Sequence, residues 1–145
     1  MDGDSVPRSG DWMACFDRSH KSSVNYHVYQ DVDVSSYSSA IDGGNAYVTA
    51  TGYLESDQFP NFDDVYLQVW FLDSKKNEIP DTRYDSGTQR PDSWTLYGVE
   101  DHLVPENTRY VRMRFNTWES GYDAGSADDL SVKIKGRHKY LSITN

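Results

Sequence analysis

Apolar and polar residues alternate with a period of two over one stretch of this chain after another. That is the spacing at which a β-strand buries one face and wets the other. Residues 26–34 set Val28, Gln30, Val32 and Val34 against Tyr29, Asp31 and Asp33. Residues 46–54 set Ala46, Val48, Ala50 and Leu54 against Tyr47, Thr49, Thr51 and Tyr53, and residues 109–117 set Val111, Met113 and Phe115 against Tyr110, Arg112 and Arg114. A shorter run over 130–134 opposes Leu130, Val132 and Ile134 to Ser131 and Lys133, and 94–99 is a further short candidate. Residues 65–72 are apolar on both sides, with Val65, Leu67, Val69 and Phe71 opposite Tyr66, Trp70 and Leu72. This pattern suits a central strand covered on both faces and is the first choice for the core. Turn-forming Gly, Asp, Asn, Ser and Pro gather in 35–45, 55–64, 73–92 and 118–128, which read as loops. Sustained helical periodicity is missing. The pattern predicts an all-β protein, a meander of about six or seven strands folded as an antiparallel β-sandwich.

Composition agrees, since aromatic residues make up 14% of the chain and favour strands. A length of 145 residues fits one domain, divided here into a tail over 1–9, a sandwich over 10–136 and a last edge strand or tail over 137–145. The net charge of -9 repels phosphate backbones and anionic membranes, so a nucleic-acid partner is not expected and neutral or cationic partners are favoured. No run approaches the ~20 apolar residues of a membrane span, and residues 1–10 are polar, so membrane insertion is not expected and the chain reads as soluble and unprocessed. Cys15 is the single cysteine, which leaves no internal disulfide and no thiolate zinc cluster; it reads as a small buried hydrophobe. His20, His27, His102 and His138 form no His-Glu-X-X-His motif, and neither a Gly-X-Ser-X-Gly elbow nor a phosphate loop occurs. The chain is therefore expected to be no enzyme. Asp31 and Asp33 alternate onto one face, but a solvated strand face accounts for them better than a paired-carboxylate centre. Arg112 and Arg114 read as solvated arginines pairing with acids of a neighbouring strand, or else as a cationic stripe.

The segments Tyr29-Gln30-Asp31-Val32-Asp33-Val34, Ala40-Ile41-Asp42-Gly43-Gly44, Tyr53 and Val69-Trp70-Phe71-Leu72-Asp73 follow one another in order. Ser93-Trp94, the run Pro105 to Arg114 and Asp128-Asp129-Leu130-Ser131-Val132 come after them. Together they resemble the galactose-binding-like β-sandwich, discoidin-type and carbohydrate-binding-module-like, over residues 10–134. The resemblance implies a jelly-roll, lectin-like domain that binds a glycan or glycoprotein, or a protein-interaction and adhesion domain on the same sandwich, with an extracellular or cell-surface location favoured. Ala127 departs from it, since many relatives carry an aromatic just before the paired aspartates.

In resembling domains an acid entering the last strand helps hold a structural Ca²⁺, an ion that takes six to eight oxygens. That implies Asp129, Asp128 and Asp17, with Ser19, as candidate ligands; the alternative is that Asp128 and Asp129 cap a turn. Because adjacent strand residues point to opposite faces, only one of that pair is expected to face inward. Glycan-binding sandwiches also need flat apolar surfaces in loops, rimmed by planar polar groups. Trp118 and Tyr122 are the candidate floor of such a site, and Glu119, Asp57 and Asn61 its hydrogen-bonding rim. Trp12, Trp70 and Trp94 lie in or beside strands and are expected in the core.

Overall fold

The computed structural model describes residues 8–10, 13–15, 25–56, 64–118 and 125–136, and for Cys15 the backbone alone. In chain order the elements are β1 (Ala14–Cys15), β2 (Asn25–Asp33), a 3-10 turn (Ser35–Tyr37), α1 (Ser38–Asp42), β3 (Ala46–Glu55), β4 (Asp64–Leu72), β5 (Tyr84–Asp85), β6 (Thr95–Leu103), β7 (Tyr110–Trp118) and β8 (Ser126–Gly136). They form two antiparallel four-stranded sheets in the orders β1-β8-β3-β6 and β2-β7-β4-β5. The alternating runs are strands as expected, but the connectivity is not a meander. Each sheet draws strands from both halves of the chain, the crossed arrangement of a jelly roll.

Burial follows the period of two. In β3 the positions Ala46, Val48, Ala50, Gly52 and Leu54 are buried and their alternates half-buried. In the second sheet Val65, Leu67, Val69 and Phe71 of β4 and Val111, Met113 and Phe115 of β7 supply the facing layer. Burial of apolar side chains between the two sheets, worth about 1.5–3 kcal/mol for each large one, holds the sandwich together.

Two bulges interrupt the pairing of β3. Against β6 the register slips between Val48 and Ala50, and Asp101 takes a φ of 49° there. Against β8 it slips between Thr51 and Tyr53, where Asp129 also has a φ of 49°. Gly98, at φ 133°, lies so close to β3 that a Cβ there would come within 2.1 Å of the Ala50 carbonyl oxygen.

Three expectations need correction. Residues 35–45 hold a 3-10 turn and a five-residue helix, an element too short to show a helical period in the sequence. Trp70 is half-buried on the outer face of its sheet, and Trp94 is half-buried ahead of β6, so neither belongs to the core; Trp12 lies outside the described residues. Residues 73–92, expected as a loop, hold the short strand β5, and residues 8 and 9 contact β8 as described below.

Candidate functional site

The register of β2, β7 and β4 sets their outward side chains in rows. Asp33, Tyr110 and Leu72 form the first row, followed by Asp31, Arg112 and Trp70, then Tyr29, Arg114 and Gln68. His27, Asn116 and Tyr66 come next, and Asn25, Trp118 and Asp64 close the series. Asp85 of β5 extends the Gln68 row. The result is a sheet face in which aromatic rings stand among planar polar groups. Its most open rings are Tyr29 at 52% and Trp118 at 45% exposure, separated along β7 by a span of about 14 Å from the row of Arg114 to that of Trp118.

Most of the charge on this face is paired. The Arg112 guanidinium donates to Asp31 through Nε at 2.6 Å and Nη2 at 3.0 Å, and Lys76 lies 3.1 Å from the same carboxylate. Hydrogen bonding to Arg112 is the main cause that holds the Asp31 carboxyl below its ordinary range. Asp33 is lowered as well, chiefly by Ser35. Arg83 donates to Glu78 through Nε at 2.9 Å and stacks on Trp70, its guanidinium carbon 3.8 Å from the ring centroid. Gln68 is committed on both sides: its amide donates to Asp85 at 2.6 Å and accepts from the Trp70 indole at 3.3 Å.

Among the described residues, two atoms of the face are without a hydrogen-bond partner and have no accessible surface: Arg114 Nε and Asn116 Oδ1. Buried polar groups are nearly always hydrogen-bonded, and an orphan costs about 1–3 kcal/mol. The sequence grouped Tyr110, Arg112 and Arg114 on one side, and Arg112 pairs with the neighbouring strand as that reading holds, but Arg114 does not. Asn116 carried no signal, because a buried Asn on an outward position shows only once the neighbouring strands are in place.

Of the predicted ligand-binding residues, Trp118 stands at the end of this face. Tyr122, Glu119, Asp57 and Asn61 lie outside the described residues. Asp17 is outside the description too. Asp128 and Asp129 are on the other sheet, and the bulge breaks their alternation so that both reach one segment. Asp128 accepts from the Ser9 amide at 3.1 Å and from the Asp129 amide at 2.7 Å. Asp129 accepts from the Ser9 hydroxyl at 2.5 Å and pairs with Arg8, whose guanidinium covers the Tyr53 ring. Asp128 is nevertheless buried and Asp129 exposed, so one of the pair is turned in and the other out. Among the described residues no group of three or more acids, histidines or cysteines is placed to hold a metal.

A cavity of about 510 Å³ opens between the sheets beside β2 and β8, lined mainly by Ala14, Val28, Val32, Met113, Leu130 and Val132. No helix among the described residues is long and apolar enough to cross a membrane.

No family model matches the sequence, and no curated protein matches it. Solved structures do match. The carbohydrate-binding module TmCBM61, solved in complex with beta-1,4-galactotriose, superposes with a TM-score of 0.54 at 14% identity, over 90% of this chain and 74% of its own. The fold is that of a carbohydrate-binding module. The enzymatically active domain of the bacteriophage CBA120 tailspike protein 4 superposes with a TM-score of 0.50 at 16% identity over 77% of this chain, which spans 14% of the tailspike chain. At these identities the likeness is one of fold alone. The carbohydrate-binding-module-like jelly roll inferred from the ordered motifs is thus the observed architecture.

Proposed function

We propose that this chain is a non-catalytic carbohydrate-binding domain whose ligand lies across the outer face of β2, β7 and β4, between Tyr29 and Trp118. The observation that carries the reading is the presence on one sheet face of two open rings, Tyr29 and Trp118, standing among planar polar side chains. Sugar C–H faces pack on rings and sugar hydroxyls both donate and accept, so an oligosaccharide suits such a face. A sandwich of the same fold holds a galactotriose, which is support at the level of fold. The floor expected in loops thereby moves largely onto the sheet, with Trp118 shared by both descriptions.

Absence of catalysis fits the state of the carboxylates on this face. Asp31 and Asp33 are both held below their ordinary range by partners, so neither retains a proton near neutral pH to act as a general acid.

A glycan array followed by titration calorimetry tests the proposal. Wild type should bind at least one oligosaccharide class, and Trp118→Ala and Tyr29→Ala should each weaken that binding by about 1–3 kcal/mol, as interface anchors do, while melting close to wild type. A blank array, or full binding by both variants, would refute it.

A further inference from the structure

One edge of the second sheet is left open. β2 is its outermost strand, and among the described residues nothing pairs with its far side. Such an edge offers a row of unpaired amides and carbonyls to any strand that arrives, and proteins blunt it with short strands, bulges, prolines or lysines. The other outer strands carry these devices: β1 and β5 are two residues long, and the pairing of β6 is broken by a bulge. β2 carries none. Its nine residues, Asn-Tyr-His-Val-Tyr-Gln-Asp-Val-Asp, run in unbroken register against β7 and include no proline, lysine or arginine. His27, Val28, Tyr29 and Gln30 are exposed in succession, so both faces of the edge are bare. Val28, whose β7 partner Phe115 is buried, is still 44% exposed beside the apolar cavity. Of the two acids in β2, Asp31 is already neutralised by Arg112 and Lys76.

The sequence of β2 is complementary to its own reverse. Two copies related by a two-fold axis through Tyr29, perpendicular to the sheet, pair all nine residues antiparallel and keep like faces together. On the outer face His27 then stands opposite the partner's Asp31, and Asn25 opposite the partner's Asp33, each a donor facing a carboxylate, with the two Tyr29 rings at the axis. On the inner face Val28 meets the partner's Gln30, and Tyr26 the partner's Val32, beside the cavity that Val28 lines. An axis at Asp31 would bring the two Asp31 carboxylates together, and an axis at Gln30 would pair only residues 27 to 33. We propose that β2 is a dimerisation edge, occupied by the β2 of a second copy of this chain in the register centred on Tyr29, so that the two sheets join edge to edge. The dimer does not depend on the glycan reading: it leaves the outer face open and sets two copies of that face side by side.

Sedimentation of the whole chain over a concentration series reads the pairing directly. Wild type should pass from monomer to dimer as concentration rises and stop there, since an isologous contact closes on itself. Gln30→Lys sets an inward-pointing charge on the edge, and His27→Asp faces an acid against the partner's Asp31. Each should raise the dissociation constant about tenfold or more while the monomer melts close to wild type. Both positions are exposed, so neither change disturbs the core. Cysteine pairing in a Cys15→Ala background reads the register: Tyr29→Cys copies, facing at the axis about 5 Å apart, should oxidise to a covalent dimer, and His27→Cys copies, about 14 Å apart, should not. A chain that stays monomeric at every concentration overturns the inference, and amide exchange that finds β2 protected in that monomer would identify a segment of the same chain as the occupant. Assembly that continues past the dimer overturns it too, as does a dimer unaffected by Gln30→Lys and His27→Asp, or one that Tyr29→Cys does not cross-link.

Discussion

Replacing Trp70 and Phe71 by alanine, one at a time, compares the two faces of β4 at adjacent residues. Phe71 is fully buried between the sheets, and Phe→Ala at such a position costs about 3–5 kcal/mol. Trp70 points the other way and is half-exposed. Its loss removes a 3.3 Å hydrogen bond to Gln68, the Arg83 guanidinium stacked 3.8 Å from its centroid, and part of its apolar burial. Arg112 and Arg114, at 5.9 and 5.7 Å, stand at the limit of useful cation–π range and add little. The total is about 2 kcal/mol. For a chain of this length each kcal/mol moves the melting temperature by roughly 3–4 °C, so Trp70→Ala should melt about 6–8 °C below wild type and Phe71→Ala about 9–20 °C below. Urea unfolding followed by intrinsic fluorescence and circular dichroism gives both free energies, provided the slopes with denaturant agree. Trp70→Ala as damaging as Phe71→Ala would mean that the outer face is closed over the ring, and the site assigned there would be wrong.

Asp31→Asn should lower stability at pH 7 and leave wild type and variant alike at low pH. The folded carboxyl is held below its ordinary value of 3.8, first by hydrogen bonding to Arg112, so its contribution is complete above that value and is lost as pH falls through the folded one. A gap that persists to pH 2 in denaturation curves would refute the pairing. Gly98→Ala should cost about 3 kcal/mol or prevent folding, because its Cβ would meet the Ala50 oxygen and its φ is one that L side chains rarely adopt; thermal melting checks it, and a near-neutral result would place β6 incorrectly. Arg8→Ala should cost no more than about 1 kcal/mol, since its pair with Asp129 is solvent-exposed; a larger loss in chemical denaturation would show that the N-terminal segment is integral to the core.

Much of the sandwich was legible from alternation alone. The spacing of Val28, Gln30 and Val32, of Ala46 to Leu54 and of Val111 to Phe115 reports which face of a strand is wet, whatever its neighbours are. It does not report which strands are neighbours, and the site depends on that. Asp31 and Arg112 are 81 residues apart, and only the pairing of β2 with β7 shows that they neutralise one another while Arg114 is left over. Trp70 misled for a related reason. An apolar run on both sides of a strand reads as burial on both sides, yet arginine side chains cover one side of the ring here, and a guanidinium is polar in any sequence pattern. The shared contact of Asp128 and Asp129 with Ser9 was not legible, because it depends on a bulge in β8, and a bulge leaves no trace in a two-residue period.

The strand order has a kinetic side. In both sheets an inner position belongs to a late strand, β7 between β2 and β4, and β8 between β1 and β3. While the chain is being synthesised, β3 can meet β6 but keeps its other edge bare until residue 136 has left the ribosome, and β2 waits alone for β7. Pairing at such sequence distances closes long loops before it is rewarded, which makes folding slow and leaves unpaired edges exposed to other chains in the interval. A fragment ending before Ser126 should therefore aggregate or be degraded rather than persist as a half-sandwich, and the yield of folded protein should depend on chaperone supply and growth temperature more than its final stability suggests.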